Sequence, residues 1–228
     1  MAFVENVDIE KTMVFNHAKS FYYFLAIKRK KDHPEATMKD SQLIQTWIVK
    51  DVREFWYLYK TQMISIVKDN KCRLYMCTDR KSYAKTLLSI RNDINKQLDS
   101  AVENERMEYS PKTLVDLLPS NIMRPESSDR KLHKWLFDID TKDKRVLDII
   151  IKLCGSSYEV TLETKNGYHV IAKRAFAAPM FLQILKTDGM CVGFNKDEFT
   201  KEEIEIIQEN HDKVDVKPNA LALVAMDC

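Results

Sequence analysis

The chain has 228 residues, 45% hydrophobic and 31% charged, with 36 basic side chains against 34 acidic for a net charge of +2. This composition suits one large or two small globular domains, excludes a disordered or fibrous chain, and is too near neutral for a protein that coats nucleic acid at large. The longest apolar runs, residues 21–27 and 220–226, are far shorter than the roughly 20 residues of a membrane helix, and Met1-Ala2-Phe3-Val4-Glu5 does not start an export signal, so a cytoplasmic protein with no membrane partner is expected.

In chain order, residues 20–29 are aromatic and aliphatic and predict a buried strand, followed by the basic loop Lys28-Arg29-Lys30-Lys31-Asp32-His33-Pro34. From Ser41 to about Asp69 apolar residues recur at three and four (Leu43, Trp47, Val52, Phe55, Trp56, Tyr59, Met63, Val67), which predicts a long helix or a pair capped by Ser41. The aromatic residues Trp47, Phe55, Trp56 and Tyr59 on that period read as core packing. A strand over 72–78 and a helix over 81–101 follow. Residues 103–130 hold Pro111, Pro119 and Pro125 and read as a linker around the apolar patch 114–118.

The second half predicts a strand at 133–140, a helix at 144–153 and strands at 158–163 and 168–173. After these come a helix at 179–185, a turn at Asp188-Gly189, a helix at 200–208 with a Thr200/Glu203 capping box, and strands at 213–216 and 221–225. Strands and helices intermix without strict alternation, an α+β pattern. The expected organisation is an N-terminal α/β half (1–105), a linker-like segment (106–130) and a motif-bearing half (131–228) within one module.

Cys72, Cys77, Cys154, Cys191 and Cys228 are scattered without a Cys-x-x-Cys pair, so no structural zinc is expected. Four glycines in the whole chain are too few for a phosphate-cradling glycine loop. Chemistry must therefore come from side chains. In Trp135-Leu136-Phe137-Asp138-Ile139-Asp140 the two Asp residues are two apart and project from one strand face. Paired carboxylates repel unless a cation joins them, and hard oxygen ligands suit Mg²⁺ or Mn²⁺; the other reading makes Asp140 a cap near Thr141 and Asp143. In Glu163-Thr164-Lys165-Asn166-Gly167-Tyr168-His169 the Asn-Gly pair predicts a tight hairpin with positive φ at both residues. His169 and Lys173 then share a face and could grip a phosphate, unless His169 is a structural strand histidine.

The Asp-x-Asp strand, the Gly-Tyr-His hairpin and the apolar-Asp segment Val214-Asp215-Val216, in that order, resemble the three-motif layout of the archaeo-eukaryotic primase superfamily, the primase-polymerases. Residues 21–32 and Arg73 to Ser82 resemble the first half of small phage-encoded members, so the resemblance runs from about Ser20 to the C-terminus. Many members carry Ser two residues before the motif-two His, where this chain has Gly167.

The resemblance implies an RRM-like catalytic core with an N-terminal α/β half, its mixed or antiparallel sheets packed by helices. It assigns Asp138, Asp140 and Asp215 to two Mg²⁺ or Mn²⁺ ions and His169 to the nucleotide's phosphates. Lys173, Lys165, Arg80, Lys81 and the basic run 28–31 become candidates for nucleotide or template phosphate. The implied activity is nucleotidyl transfer onto a primer or template-bound nucleotide. The implied partners are nucleoside triphosphates, single-stranded or primed nucleic acid and phage replication proteins, in a host cell's cytoplasm. Two alternatives use the same residues: a catalytically impaired nucleotide- or nucleic-acid-binding accessory or anti-defence protein, and a metal-dependent nuclease with water as nucleophile.

Overall fold

In the computed structural model, which describes residues 3–15, 19–34, 41–103, 111–129, 133–173, 199–218 and 220–227, the strands form two antiparallel sheets. The first contains β1 (Val4–Glu5), β2 (Ser20–Lys28), β3 (Gln42–Val49), β4 (Arg73–Cys77) and β10 (Leu221–Met226), in the order β1-β10-β4-β2-β3, with the short β5 (Lys81–Ser82) also on β2. The second contains β6 (Lys134–Ile139), β7 (Tyr158–Glu163), β8 (Tyr168–Lys173) and β9 (Val214–Pro218), in the order β7-β8-β6-β9. Helix α1 (Val52–Leu58) runs through a π-helical turn, Tyr59–Met63, into α2 (Ile64–Asn70). Helices α3 (Tyr83–Glu103), α4 (Pro111–Met123), α5 (Lys144–Cys154) and α6 (Lys201–Glu209) complete the described helices. None is long and apolar enough to cross a membrane. The α+β class is as the sequence predicts.

The helix expected from Ser41 is instead a strand followed by a helix. Residues 44–49 contain Ile44, Thr46, Trp47, Ile48 and Val49, β-branched or aromatic types that suit a pleated surface, and the buried positions Trp47 and Val49 are two apart. β2 supplies the pairing partner. The helix starts only after Asp51, whose carboxylate accepts from the Glu54 N–H at 2.8 Å, while the Glu54 carboxylate accepts from the Lys50 N–H at 2.6 Å. Ser41 caps nothing there.

The linker-like segment also contains a helix, α4. Pro111 stands at its first position, where a missing N–H costs no intrahelical bond. The segment's apolar patch reaches the core through Leu117, and Ile122 is buried with Phe21, Tyr23, Leu25 and Cys77. The expected helix over 179–185 and turn at Asp188-Gly189 lie outside the described residues, as do Cys191 and Cys228. Cys72, Cys77 and Cys154 are buried.

Residues 164–167 link β7 to β8 as a four-residue turn, not as a two-residue Asn-Gly turn. Its closure is the Thr164 N–H to the Gly167 carbonyl at 3.0 Å and the Gly167 N–H to Thr164 Oγ1 at 3.0 Å. Neither Asn166 nor Gly167 has positive φ. Glycine is required for a different reason: a Cβ at Gly167 would sit 1.7 Å from the Ile139 carbonyl oxygen and 2.8 Å from the Thr141 nitrogen. The turn is pressed against the end of β6.

Two devices hold the sheets together. One is a shared apolar core, in which Leu136, Val160, Leu162 and Ile171 of the second sheet join Tyr22, Phe24, Leu74, Val224 and the α1–α2 residues Phe55, Tyr59 and Met63. The other is polar. The buried Asn6 side chain donates to the carbonyls of Glu163 on β7 (2.8 Å) and Leu223 on β10 (3.1 Å), and it accepts from the Glu163 N–H (2.8 Å). Leu223 stands at a register shift of β10 against β4, so the backbone of the first sheet meets the second where the ladder is irregular.

Candidate functional site

The strand period of two decides which residues of β6 reach the site. Phe137 and Ile139 pack against Val146, Ile150 and Ile207 of the helix layer, with Trp135 against the same cluster. The alternate positions Leu136 and Asp138 therefore face the first sheet. Leu136 joins the shared core. Asp138 and then Asp140 line a cleft of about 810 Å³ whose other lining residues come from both sheets. Asp140 is not a helix cap: the α5 cap is Asp143, which accepts from the Arg145 N–H at 2.9 Å.

Asp138 is the register partner of His169 on β8 and of Asp215 on β9. Directly opposed residues in antiparallel strands project to the same side, so His169, Asp138 and Asp215 form one row across three strands. The Leu223 N–H donates to His169 Nδ1 at 3.1 Å, which leaves Nε2 to carry the ring proton and donate to Asp138 Oδ1 at 3.2 Å. The first sheet thus sets the tautomer of a residue on the second. On the other side of Asp138, Lys217 Nζ lies 2.7 Å from Asp138 Oδ2 and 3.3 Å from Asp215 Oδ2. The His169 hydrogen bond, against the opposing effect of burial, and then the Lys217 hydrogen bond hold the Asp138 carboxyl well below the usual range. Burial alone would lower the Lys217 ammonium, but Asp138 and Asp215 outweigh it and its pKa rises.

The opposite wall comes from the first sheet and the loop after β2. Arg29, Lys31 and Arg73 line it with Tyr75, and Lys165 joins from the β7–β8 turn. Arg29 Nη1 donates to the Tyr75 hydroxyl at 3.2 Å. Asp32, its side chain 3% exposed, holds Arg73 in a bidentate pair of 2.7 and 2.6 Å, with Lys165 Nζ 3.9 Å away. Burial would raise the Asp32 pKa, but the Arg73 hydrogen bonds and the nearby cations lower it. Burial, and then Arg29 and Arg73, lower that of Lys31. Five Lys and Arg side chains line the cleft against two Asp. The floor also carries Ile27, Leu221 and Leu223. A positive, partly apolar cleft with carboxylates at one end suits a polyphosphate bearing an aromatic group together with a divalent cation.

Asp138, Asp140, His169 and Lys165 therefore meet in one cleft, and Asp215 stands at its edge with a side chain 68% exposed. Lys173 shares the His169 face but pairs with Lys134 at the other end of the sheet, four residues or roughly 13 Å along the strand. Arg80 and Lys81 are engaged elsewhere. Buried Arg80 pairs with Asp129 at 2.5 Å and donates to the Val14 carbonyl at 2.8 Å. Fully buried Lys81 donates to Ser128 Oγ at 3.0 Å, and burial lowers its pKa. Both fasten residues 128–129 to β5 and do not line the cleft, because a charge that deep requires fixed partners.

Arg73, Lys217, Tyr75 and Asn6 were not singled out from sequence. Lys217 had a signal, since it lies two residues from Asp215 as Asp140 does from Asp138. Arg73 and Asn6 had none, because their partners are 41 and up to 217 positions away.

Among the described residues no group of three or more His, Cys, Asp or Glu is gathered tightly enough to hold a metal ion. The donor chemistry nevertheless fits a hard cation: carboxylate oxygens of Asp138 and Asp215 converge on a positive charge, and here that charge is the Lys217 ammonium. Comparison with known protein families, with curated proteins and with solved structures finds no match.

Proposed function

We propose that the protein is a metal-dependent nucleotidyltransferase of the primase-polymerase type, with its active site in the inter-sheet cleft. One observation carries the reading: of the row His169, Asp138, Asp215, the first two line a cleft with Asp215 at its edge, and Arg29, Lys31, Arg73 and Lys165 line the same cleft. Among the described elements the order β6-α5-β7-β8-α6-β9, with sheet order β7-β8-β6-β9, matches the β-α-β-β-α-β arrangement expected of an RRM-like core and adds support.

In this reading Asp138, Asp140 and Asp215 would hold Mg²⁺ or Mn²⁺, which when bound would lower the pKa of an attacking 3′-hydroxyl and offset charge on the departing pyrophosphate. His169, its Nε2–H fixed by the Leu223 amide and directed at Asp138, would be a positioned donor for a phosphate oxygen in the cleft. Arg29, Lys31, Arg73 and Lys165 bind the polyphosphate, and Asp32 keeps the Arg73 fork in place. Ile27, Leu221 and Leu223 exclude water beside it.

The test is incorporation of labelled nucleotides on primed and unprimed templates with Mg²⁺ or Mn²⁺. Incorporation by wild type that disappears in Asp138→Ala and Asp140→Ala is the expected result; no incorporation on any template with either ion sinks the proposal. Lys217, already neutralising Asp138 and Asp215, favours a second reading, a nucleotide-binding protein without metal chemistry. Triphosphate binding by calorimetry that is equal with and without Mg²⁺, and survives loss of both acids, would select it.

A further inference from the structure

We propose that Lys217 is a displaceable internal counter-ion that couples metal binding to nucleotide binding: its ammonium holds Asp138 and Asp215 in the free protein and passes to the nucleotide's polyphosphate when a divalent cation takes the carboxylates. This rests on the cleft being a metal and nucleotide site.

The geometry first shows competition. Lys217 Nζ contacts Asp138 Oδ2 at 2.7 Å and Asp215 Oδ2 at 3.3 Å, so it engages the same carboxylate oxygens that a divalent cation would need. A divalent ion binding the same oxygens at roughly 2.1 Å would stand against the ammonium at short range, and the two positive charges repel. One must leave. Lys217 can leave cheaply: among the described strands β9 pairs only to β6, and the Lys217 side chain is 44% exposed on a flexible four-carbon stem.

The geometry also shows where it goes. Lys217 lines the same cleft as Arg29, Lys31, Arg73 and Lys165. Those cations have partners or neighbours of their own, and Arg73 is locked to Asp32. A released ammonium in that wall adds one mobile charge for an incoming triphosphate. Metal entry frees the lysine for the phosphates, and phosphates that hold the lysine leave the carboxylates to the metal. By linkage each must strengthen the other by the same factor.

The experiment is Mn²⁺ binding by calorimetry, on the full chain, with and without a non-hydrolysable nucleoside triphosphate analogue and corrected for metal held by the analogue itself. Wild type is expected to bind Mn²⁺ more tightly when the analogue is present. Lys217→Met should bind Mn²⁺ alone about tenfold more tightly, the worth of one charge-assisted hydrogen bond removed from competition. Its metal–analogue coupling should fall toward none, while Lys217→Arg, which keeps a mobile cation, should retain coupling. Lys217→Gln serves as a second neutral variant, with a thermal melt to confirm folding. Unchanged or weaker Mn²⁺ binding in both neutral variants, or undiminished coupling, overturns the proposal. If Mn²⁺ binding is also lost in Asp138→Ala, only the role of Lys217 falls. If wild type and every Lys217 variant fail to bind Mn²⁺, the metal site falls and takes this proposal with it.

Discussion

Replacing Asn6 by Ala tests how the cleft is held open at its present shape. The substitution removes three hydrogen bonds: two donated by Nδ2, to Glu163 O at 2.8 Å and Leu223 O at 3.1 Å, and one accepted by Oδ1 from Glu163 N–H at 2.8 Å. Each is worth about 1 kcal/mol net, and a buried partner left unpaired costs more, but Glu163 lies at a strand end that water can reach. The expected loss is about 3 kcal/mol. For a chain of this size that is a fall of about 6–12 °C in melting temperature. Urea denaturation of the two proteins measures the free energy, and hydrogen exchange should show the Glu163 amide losing protection. Because Leu223 also donates to His169, loosening β10 at this point should weaken triphosphate binding as well. A variant within about 0.5 kcal/mol of wild type, the range of an ordinary surface substitution, would refute the role of Asn6 as the tie between the sheets.

Gly167→Ala should destabilise the protein by about 2 kcal/mol or more, because the new Cβ meets backbone and not a side-chain end that can swing away; a thermal melt equal to wild type would show that the turn is not pressed on β6. The depressed pKa of Asp138 makes a pH prediction whose sign follows from its direction. A carboxyl lower in the folded state contributes stability that is fully present above its ordinary value of 3.8 and is lost as the pH falls through the folded value. Asp138→Asn should therefore be less stable than wild type at pH 6, with the gap narrowing below pH about 4; urea midpoints whose difference is the same at pH 6 and pH 3 would contradict it.

The strand at residues 134–139, with Asp138 and then Asp140 on its open face, was legible from sequence because a period of two with apolar residues at alternate positions allows few other conformations. The same rule gave β7 and β8, and the Thr200/Glu203 capping box is local enough to read directly. Local signals failed where pairing decided the outcome. Residues 42–49 fit a helical spacing as well as a strand, and β2 lying beside them settled it. Pro111, Pro119 and Pro125 suggested a linker, yet packing of Ile122 under the first sheet holds a helix there. Arg80 and Lys81 had the charge for phosphate, and only the fold shows that charge spent on Asp129 and Ser128.

The sequence by itself determined the α+β class, the β6 carboxylates and the β8 histidine, because these depend on residue types and separations along one strand. The tertiary structure alone decided that His169 is held by the Leu223 amide, that Arg73 faces the carboxylates across a cleft, and that Lys217 lies between Asp138 and Asp215. Each of those relations joins separate strands, and what brings them together is the burial of a core shared by two sheets, which no short stretch of chain records.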